Sequence, residues 1–257
     1  MHPMLNIAIR AARTAGDSIV REMDRTRDIS IETKGQNDFV TEVDKNAEGI
    51  IISVIKNAYP EHAFLAEESG QEGENDYLWI IDPLDGTTNF LHGFPHFSVS
   101  IALQNKGVLE QAVIYDPLKQ ELFTASKGKG AQLNNRKIRV SIKKTLDGAL
   151  LGTGFPYNNK SVMQQFIESY KNLFPNVAGI RRAGVASLDL AYVACGRLDG
   201  FWEFNLRPWD IAAGALIIQE AGGINAELTG GADYMKTGNI ISANPKMIKA
   251  MLKVLSK

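Results

Sequence analysis

Acidic residues directly after apolar segments are the part of this sequence best suited to chemistry. Tyr77–Ile81 is an unbroken apolar run, typical of a strand buried on both faces, and Asp82 and Asp85 follow it on either side of Pro83-Leu84. An unpaired carboxylate is costly in a dry interior. Two of them about 4 Å apart repel by roughly 4 kcal/mol at an effective dielectric of about 20. A multivalent cation would remove this conflict, and oxygen ligands favour Mg²⁺ or Mn²⁺ over zinc.

The residues behind the two aspartates could receive a phosphate group. Gly86, Thr87 and Thr88 offer backbone N–H groups and two hydroxyls, as the start of a short helix does. The alternative is that Asp82 and Asp85 only shape a turn, which is common for a single Asp-Pro pair. The second acid and the Gly-Thr-Thr segment together favour a site for metal and phosphate.

Two further acidic segments could supply ligands. The apolar run Phe64–Ala66 ends at Glu67-Glu68, and adjacent residues of a strand point to opposite faces, so one glutamate could enter a site. A solvated acidic loop is the alternative. Asp210 precedes the predicted helix Ile211–Ala221, and taken alone it is more typical of a helix N-cap than of a ligand.

Two residues nearer the start of the chain could support such a site. Asp44 stands at capping-box spacing from Thr41, at the start of a predicted helix that runs to about Ala58. It is explained equally well as a first-turn acid and as a group near a metal. Lys34 begins the polar, glycine-containing segment Lys34–Asp38, which could fold over a site or be a plain solvated turn.

Alternating helices and strands are predicted to position these residues. An amphipathic helix over residues 4–24 comes first, and an antiparallel meander over residues 97–125 follows the acidic strand. No repeat or clear linker divides the chain. We therefore expect a single catalytic domain over residues 1–257, made of closely packed halves at about 1–145 and 146–257.

Composition narrows the class of protein. The net charge is −1, so there is no basic field to hold nucleic acid or an anionic membrane. The one cysteine, Cys195, excludes an internal disulfide, and its apolar helical surroundings favour packing over a reactive thiol. No signal-peptide pattern or apolar run of bilayer length is present. We expect a soluble cytoplasmic protein.

Three segments together carry a resemblance to a known family. Glu67-Glu68-Ser69, Asp82–Phe90 and Trp209–Gly214 occur in this order, and together they resemble the two sequence signatures of the inositol monophosphatase family. The similarity runs over essentially the whole chain, and residues 201–210 look most like the bacterial branch. The resemblance implies an α+β fold in α-β-α-β-α layers, with mixed and antiparallel sheets, and a Mg²⁺-dependent phosphatase.

The resemblance also implies metal ligands, position by position. Glu67, Asp82 and the backbone carbonyl of Leu84 would hold a first Mg²⁺, and Asp82, Asp85 and Asp210 would hold a second. Glu67 would reach a third, looser ion through water. Mn²⁺ is an alternative ion, and inhibition by Li⁺ is implied as well.

Catalytic and substrate-binding residues are implied in the same way. Thr87 and Glu67 would orient the attacking water, Asp44 and Lys34 would support the site, and the amides of Gly86 and Thr87 would receive phosphate oxygens. The polyol side of the substrate would be lined by Asp85, Gly184, Val185, Ala186, Glu203 and Asp210.

Two positions depart from the family pattern. Val185 stands where relatives more often carry a small hydroxyl residue, which removes a side-chain hydrogen bond to substrate. Asn205 replaces a glycine that is common after the glutamate strand, and it is expected to narrow the space near Glu203. Neither position is an implied metal ligand.

The resemblance implies hydrolysis of myo-inositol 1-phosphate, and of related sugar or polyol monophosphates, by a homodimer. Alternatives in the same superfamily act on fructose 1,6-bisphosphate, histidinol phosphate, 3′-phosphoadenosine nucleotides or NADP. An alternative of another class is a partner protein in transcription antitermination that binds Nus factors and RNA polymerase and no nucleic acid directly. Arg182, Arg197 and Arg207 are candidate contacts for a dimer or for such a partner, against the more common alternative of ordinary solvated charges.

Overall fold

The structure is a computed structural model that describes residues 2–23, 31–35, 38–156 and 160–255, with the side chains of residues 31–40 and 160–161 outside the description. A small antiparallel hairpin of β1 (Ile31–Gly35) and β2 (Asp38–Thr41) precedes the main sheets. The predicted loop Lys34–Asp38 is therefore shorter than expected, because Lys34 belongs to β1 and Asp38 begins β2. The Lys34 side chain lies outside the described residues.

The first main sheet has a packed layer on each face. Its strands in chain order are β3 (Ala63–Ala66), β4 (Gly70–Glu72), β5 (Tyr77–Asp85), β6 (Ser98–Asn105), β7 (Val108–Asp116), β8 (Glu121–Ser126), β9 (Gly130–Leu133) and β10 (Arg136–Lys137). Their order in space is β10-β9-β8-β7-β6-β5-β3-β4, and only β3 and β5 run parallel. In β5, Trp79 and Ile81 join the core on one face and Ile80 joins the core on the other, as expected for a doubly buried strand.

The second main sheet has five strands and mixed pairing. Its strands are β11 (Leu150–Thr153), β12 (Gly179–Arg181), β13 (Gly200–Glu203), β14 (Ile224–Ala226) and β15 (Ile240–Ala243). Their order is β12-β11-β13-β15-β14, with β11 parallel to both of its neighbours and the other pairs antiparallel. The antiparallel meander predicted over residues 97–125 corresponds to β6, β7 and β8 of the first sheet.

Helices form three layers around the two sheets. They are α1 (Pro3–Met23), α2 (Glu42–Lys56), α3 (Thr87–Leu91), α4 (Lys160–Leu173), α5 (Ala186–Ala194), α6 (Pro208–Glu220), α7 (Tyr234–Thr237) and α8 (Pro245–Leu255). α1 and α2 cover the outer face of the first sheet, α5 and α6 fill the space between the sheets, and α4 and α8 cover the outer face of the second. The result is the predicted α-β-α-β-α layering, and the predicted fold class is confirmed.

The layer between the sheets joins the two predicted halves of the chain. Its core contains Ile80 and Ile114 from the first half and Leu188 and Phe201 from the second, all buried. Such a shared core favours one folding unit over two, so we propose that the described chain forms a single domain. No helix in the described part of the chain is long and apolar enough to cross a membrane.

Candidate active site

The end of β5 breaks the regular sheet and presents the two aspartates. The β5–β6 ladder pairs Asp82 with Ser100 and then Asp85 with Ser98, with an irregular register between them. Pro83 has no N–H to donate, and a bulge of this kind re-aims the side chains beside it. The strand thus extends to Asp85, beyond the predicted end at Ile81, and α3 begins two residues later, at Thr87.

Gly86 makes the turn between β5 and α3 possible. Its φ is 101°, a left-handed conformation that disfavours any side chain, and a Cβ there would lie 2.8 Å from Cγ2 of Val185. Val185 precedes the first turn of α5 and is buried. The glycine therefore brings the end of β5 and the start of α5 into direct contact.

Four acids from three segments face one another, and we call them the acid cluster: Glu67, Asp82, Asp85 and Asp210. Burial raises the pKa of Asp82 well above its usual range, and the charges of Glu67, Asp85 and Asp210 raise it further. Burial and then Asp85 raise the pKa of Asp210. These mutual effects mean that the structure brings together four of the acids that the sequence implicated.

Each aspartate of the acid cluster has one oxygen held by a nearby donor. Oδ1 of Asp82 accepts from the Leu84 N–H at 3.1 Å, and Oδ2 of Asp210 accepts from the Arg207 N–H at 2.6 Å. The second bond places Asp210 at the third position of α6, which begins at Pro208 and not at the predicted Ile211; Asp210 is therefore not the N-cap itself, but its carboxylate caps the N–H of the N-cap residue Arg207. Oδ2 of Asp85 accepts from both the N–H and the hydroxyl of Ser187, at 2.7 and 2.5 Å. Burial still raises the pKa of Asp85 to about 6.

Thr87 and Asp44 form a hydrogen-bonded pair behind the acid cluster. The Thr87 hydroxyl lies 2.9 Å from Oδ1 of Asp44 and 3.1 Å from the Leu84 carbonyl oxygen. The other oxygen of Asp44 accepts from the N–H of Thr41 at 2.9 Å and from its hydroxyl at 2.5 Å. Asp44 is thus both a helix cap and the partner of Thr87.

Glu48 is a functional candidate that the sequence analysis missed. It is buried on α2, four residues after Asp44, and its carboxylate accepts from the N–H groups of Glu68 and Ser69 at 2.8 and 2.9 Å. These bonds hold the turn that carries Glu67. The signal in the sequence was the spacing of Asp44 and Glu48, which places two acids on one buried face of the helix beside Ile51.

A second group, which we call the Glu203 region, consists of Gly154, Gly184, Val185, Ala186 and Glu203. The pKa of Glu203 is raised to about 8, first by burial and then by the charges of Asp189 and Asp85, against the opposing charge of Arg182. A Cβ at Gly154 would overlap the Glu203 carboxylate, so any larger residue there would displace the Glu203 side chain. Gly184 has a φ of 82°. Asp189, a buried acid of α5, was not singled out from the sequence.

The two departures from the family pattern have clear structural settings. Val185 packs against Gly86, as described above, and offers no hydroxyl. Asn205 adopts a φ of 61°, a conformation that glycine and asparagine tolerate best, and its side chain is exposed.

Asn89 connects α3 to the loop before α5, because its amide donates to the carbonyls of His96 and Ala183 at 2.9 Å each.

The residues of the acid cluster fit an oxygen-ligated divalent cation. Among the described residues, no group of three or more His, Cys, Asp or Glu side chains already stands at ion-binding spacing. Burial and the neighbouring acids nevertheless raise the pKa values of Asp82 and Asp210, so a divalent cation would stabilise their ionised forms. The donors are all oxygens, which suits Mg²⁺ or Mn²⁺. A carbonyl oxygen has two lone pairs, so Leu84 can accept from Thr87 and keep one pair for an ion.

Comparison with known proteins agrees with this geometry. The model of the inositol monophosphatase family matches residues 1–257. The chain is 55% identical over 258 residues to the Nus factor SuhB of Pseudomonas aeruginosa, covering 98% of this chain and 95% of that protein. The crystal structure of extragenic suppressor protein SuhB from Bartonella henselae superposes with a TM-score of 0.97 at 43% identity, covering 100% of this chain and 99% of the other.

A third relative carries the name of an enzyme. The structure of inositol monophosphatase from Anabaena (Nostoc) superposes with a TM-score of 0.88 at 38% identity, covering 98% of this chain and 94% of the other. The predicted family and fold are therefore confirmed, and the family is one of phosphatases. With its acidic strand end, its three helical layers and a match over its whole length, the chain belongs to the inositol monophosphatase family.

Proposed function

We propose that this protein is a Mg²⁺-dependent phosphomonoesterase that hydrolyses myo-inositol 1-phosphate and related sugar or polyol monophosphates. The observation that supports it best is the acid cluster, which gathers Glu67, Asp82, Asp85 and Asp210 beside the turn at Gly86. A buried group of like charges is expensive unless a cation or a proton compensates it. A bound cation would compensate the charges of the acid cluster and would also attract a phosphate ester to the turn at Gly86.

The proposed metal ligands are Glu67, Asp82, the Leu84 carbonyl, Asp85 and Asp210. When bound, two to three Mg²⁺ ions supply Lewis-acid charge at the phosphate and lower the pKa of bound water. Mn²⁺ is the proposed alternative ion, and inhibition by Li⁺ remains a prediction. The chain's own backbone N–H groups hold one oxygen of each aspartate, and these carboxylates are the proposed donors to the ion.

Thr87 is proposed to orient the attacking water together with Glu67. Asp44 and the Leu84 carbonyl are both acceptors, so the Thr87 hydroxyl proton points towards them. The lone pairs of the Thr87 oxygen are then free to accept a hydrogen bond from water. The amides of Gly86 and Thr87 are proposed to receive phosphate oxygens, which fixes the ester for in-line attack.

The Glu203 region is proposed to bind the polyol side of the substrate. Asp85, Glu203 and Asp210 accept hydrogen bonds from hydroxyl groups, and Gly184, Val185 and Ala186 let a ring approach the backbone. Among the described residues, the charges of Asp189 and Asp85 raise the pKa of Glu203 and the charge of Arg182 opposes them. A second phosphate would meet net repulsion there, so monoesters are favoured over fructose 1,6-bisphosphate and the nucleotide substrates.

Phosphate release tests this proposal directly. Inositol 1-phosphate, fructose 1,6-bisphosphate and a 3′-phosphoadenosine nucleotide are each supplied with and without Mg²⁺, to the wild-type chain and to Asp82→Asn. We expect fast, Mg²⁺-dependent turnover of the inositol ester that the variant loses. If another ester is the better substrate, the polyol assignment is wrong. If no ester is hydrolysed with the metal present, the proposed activity is wrong.

We also propose a second function, as a partner protein in transcription antitermination. The support is the name of the 55% identical relative, a Nus factor. The net charge of −1 favours contact with Nus factors or RNA polymerase over direct contact with nucleic acid. Among the candidate contacts, Arg197 is already paired with both carboxylate oxygens of Glu121. Pull-down with purified Nus factors and RNA polymerase should succeed equally for wild type and Asp82→Asn.

A homodimer is proposed as the oligomeric state. Phe155, Phe166, Tyr170 and Phe174 form a continuous row of ring contacts, with the Arg182 guanidinium 4.9 Å from the Phe155 ring centre. Exposed apolar surface of this kind marks interfaces more often than solvent. Sedimentation of Phe174→Asp should show weaker association than wild type. Phe94→Asp is the control, since Phe94 is 55% and Phe174 56% exposed.

A further inference from the structure

Two buried serines connect the strand of Asp82 and Asp85 with helix α5. Ser98 lies on β6 directly opposite Asp85, and Ser187 is the second residue of α5; both are fully buried. Their hydroxyl oxygens are 2.8 Å apart. Ser187 donates both its N–H and its hydroxyl to Oδ2 of Asp85. A continuous chain of hydrogen bonds thus runs from β6 through α5 to the carboxylate.

The number of hydroxyl protons determines which group donates in each of these hydrogen bonds. An ionised carboxylate only accepts hydrogen bonds, so the single hydroxyl proton of Ser187 is committed to Asp85. Ser98 must then be the donor in its contact with Ser187. Successive bonds of this kind polarise one another. Ser98 therefore strengthens the bond that Ser187 makes to Asp85.

The two donors from Ser187 hold the carboxylate of Asp85. Oδ2 accepts two short bonds, at 2.7 and 2.5 Å, and both come from one residue at a fixed helix terminus. Rotation of the carboxylate would break both bonds together. These bonds, together with a hydrogen bond from the Ala186 N–H, fix the orientation of the Asp85 carboxylate at the start of α5.

Ser100 provides a comparison on the same strand. It is buried two residues after Ser98 and opposite Asp82, but its hydroxyl reaches only the Trp209 carbonyl, at 3.3 Å. It ties the start of α6 to β6 without touching a carboxylate. On β6, therefore, Ser98 is connected to an acid through Ser187, and Ser100 hydrogen-bonds to a backbone carbonyl instead.

We propose that Ser187, held by Ser98, is a positioning residue that orients Asp85 for cation binding. This inference rests on the proposed function, since it takes Asp85 to be a ligand of the ion. Residues that hold a metal ligand commonly contribute about 10- to 100-fold to metal affinity. The position of Ser187, 102 residues after Asp85 in the chain, means that the second half of the protein sets the geometry of a ligand in the first.

Binding of Mn²⁺ alone to the full-length chain tests the inference without any substrate. Free Mn²⁺ is measured by electron paramagnetic resonance for wild type, Ser187→Ala, Ser98→Ala and Ser242→Ala, and thermal unfolding is followed in parallel. Ser242 is the matched control, because it is fully buried and donates to Oδ1 of Asn225 at 2.7 Å in the second sheet. We expect the affinity to fall about tenfold for Ser187→Ala, less for Ser98→Ala, and not at all for Ser242→Ala.

The possible outcomes separate this inference from the proposed function. Wild-type affinity in Ser187→Ala would overturn the positioning role and leave the cation site standing. An equal loss in Ser187→Ala and Ser242→Ala would also overturn it, because the effect would then follow general stability. If the wild-type chain binds no Mn²⁺, and Asp82→Asn behaves the same, the cation site itself is wrong and the inference fails with it.

Discussion

The four carboxylates of the acid cluster and the one carboxylate of the Glu203 region are held in different ways. In the acid cluster, Asp82, Asp85 and Asp210 each accept a hydrogen bond from a backbone N–H. In the Glu203 region, the carboxylate packs against Gly154, and burial raises its pKa to about 8. The hydrogen bonds in the acid cluster fix the orientation of each carboxylate, whereas burial in the Glu203 region favours the uncharged form of the carboxyl group. A carboxylate that binds an ion needs a fixed orientation, and a carboxyl group that contacts a neutral polyol can be uncharged.

The largest effect expected from this difference is at Asp82. Asp82→Asn should lower kcat/KM by about a thousandfold, equivalent to about 4 kcal/mol, because it removes a ligand shared by both proposed ions. The melting temperature without metal should stay the same or rise, since burial and neighbouring acids already disfavour the ionised form. Phosphate release and thermal unfolding measure the two. Asp76→Asn, at an exposed acid before β5, should change neither. Lost activity with a large fall in stability would contradict the proposed role.

The next effect concerns the Thr87 hydroxyl. Thr87→Val should lower kcat by about a hundredfold with little change in KM, because it removes the group proposed to align water and leaves the acids in place. Steady-state kinetics on inositol 1-phosphate separate the two constants. Thr88→Val is the control: Thr88 is an exposed neighbour on α3. Equal losses in both variants would show that the helix, and not the hydroxyl, matters.

A smaller effect is expected where a carboxylate acts through the backbone. Glu48→Gln should weaken Mg²⁺ binding about tenfold, because the amide cannot accept from both the Glu68 and Ser69 N–H groups, and the turn that carries Glu67 loosens. Titration calorimetry measures the affinity. Glu42→Gln, at an exposed position of the same helix, should bind Mg²⁺ as wild type does. Unchanged affinity in Glu48→Gln would remove Glu48 from the supporting residues.

The smallest effect is a pH dependence of stability in the Glu203 region. The folded-state pKa of Glu203 is about 8 against an ordinary value of 4.5, so its contribution to stability is full below about 4.5 and is lost as the pH rises through about 8. The unfolding free energy of the metal-free chain should therefore fall over this range, and it should fall less in Glu203→Gln. Urea unfolding at a series of pH values measures both slopes. Identical slopes would mean that Glu203 does not titrate in this range.

The sequence predicted the residues whose role depends on local order along the chain. The apolar run ending at Asp82 and the capping pair Thr41 and Asp44 both have short-range causes, and the structure contains both of them. The family resemblance then supplied Glu203, which local patterns alone did not single out.

Contacts between distant segments could not be predicted in this way. Ser187 meets Asp85 across 102 residues, and Glu48 meets Ser69 across 21, so nothing in the neighbouring sequence marks either pair. Asp189 appeared only as one position of an apolar helix, and its burial near Glu203 depends on the packing of α5 between the sheets. Such contacts are set by tertiary packing, on which local periodicity carries no information.

The layer of α5 and α6 between the two sheets has a further consequence during synthesis on the ribosome. One face of the first sheet, which includes Ile80 and Ile114, is covered only by helices that follow about residue 186. Until those helices emerge, the nascent sheet exposes an apolar face of the kind that aggregates and engages chaperones. Asp85 likewise gains its donors only from α5. A chain truncated before α5 would therefore expose this apolar face and would also lack the donors that hold Asp85. The same truncation would make the protein a target of cellular quality control and remove its proposed activity.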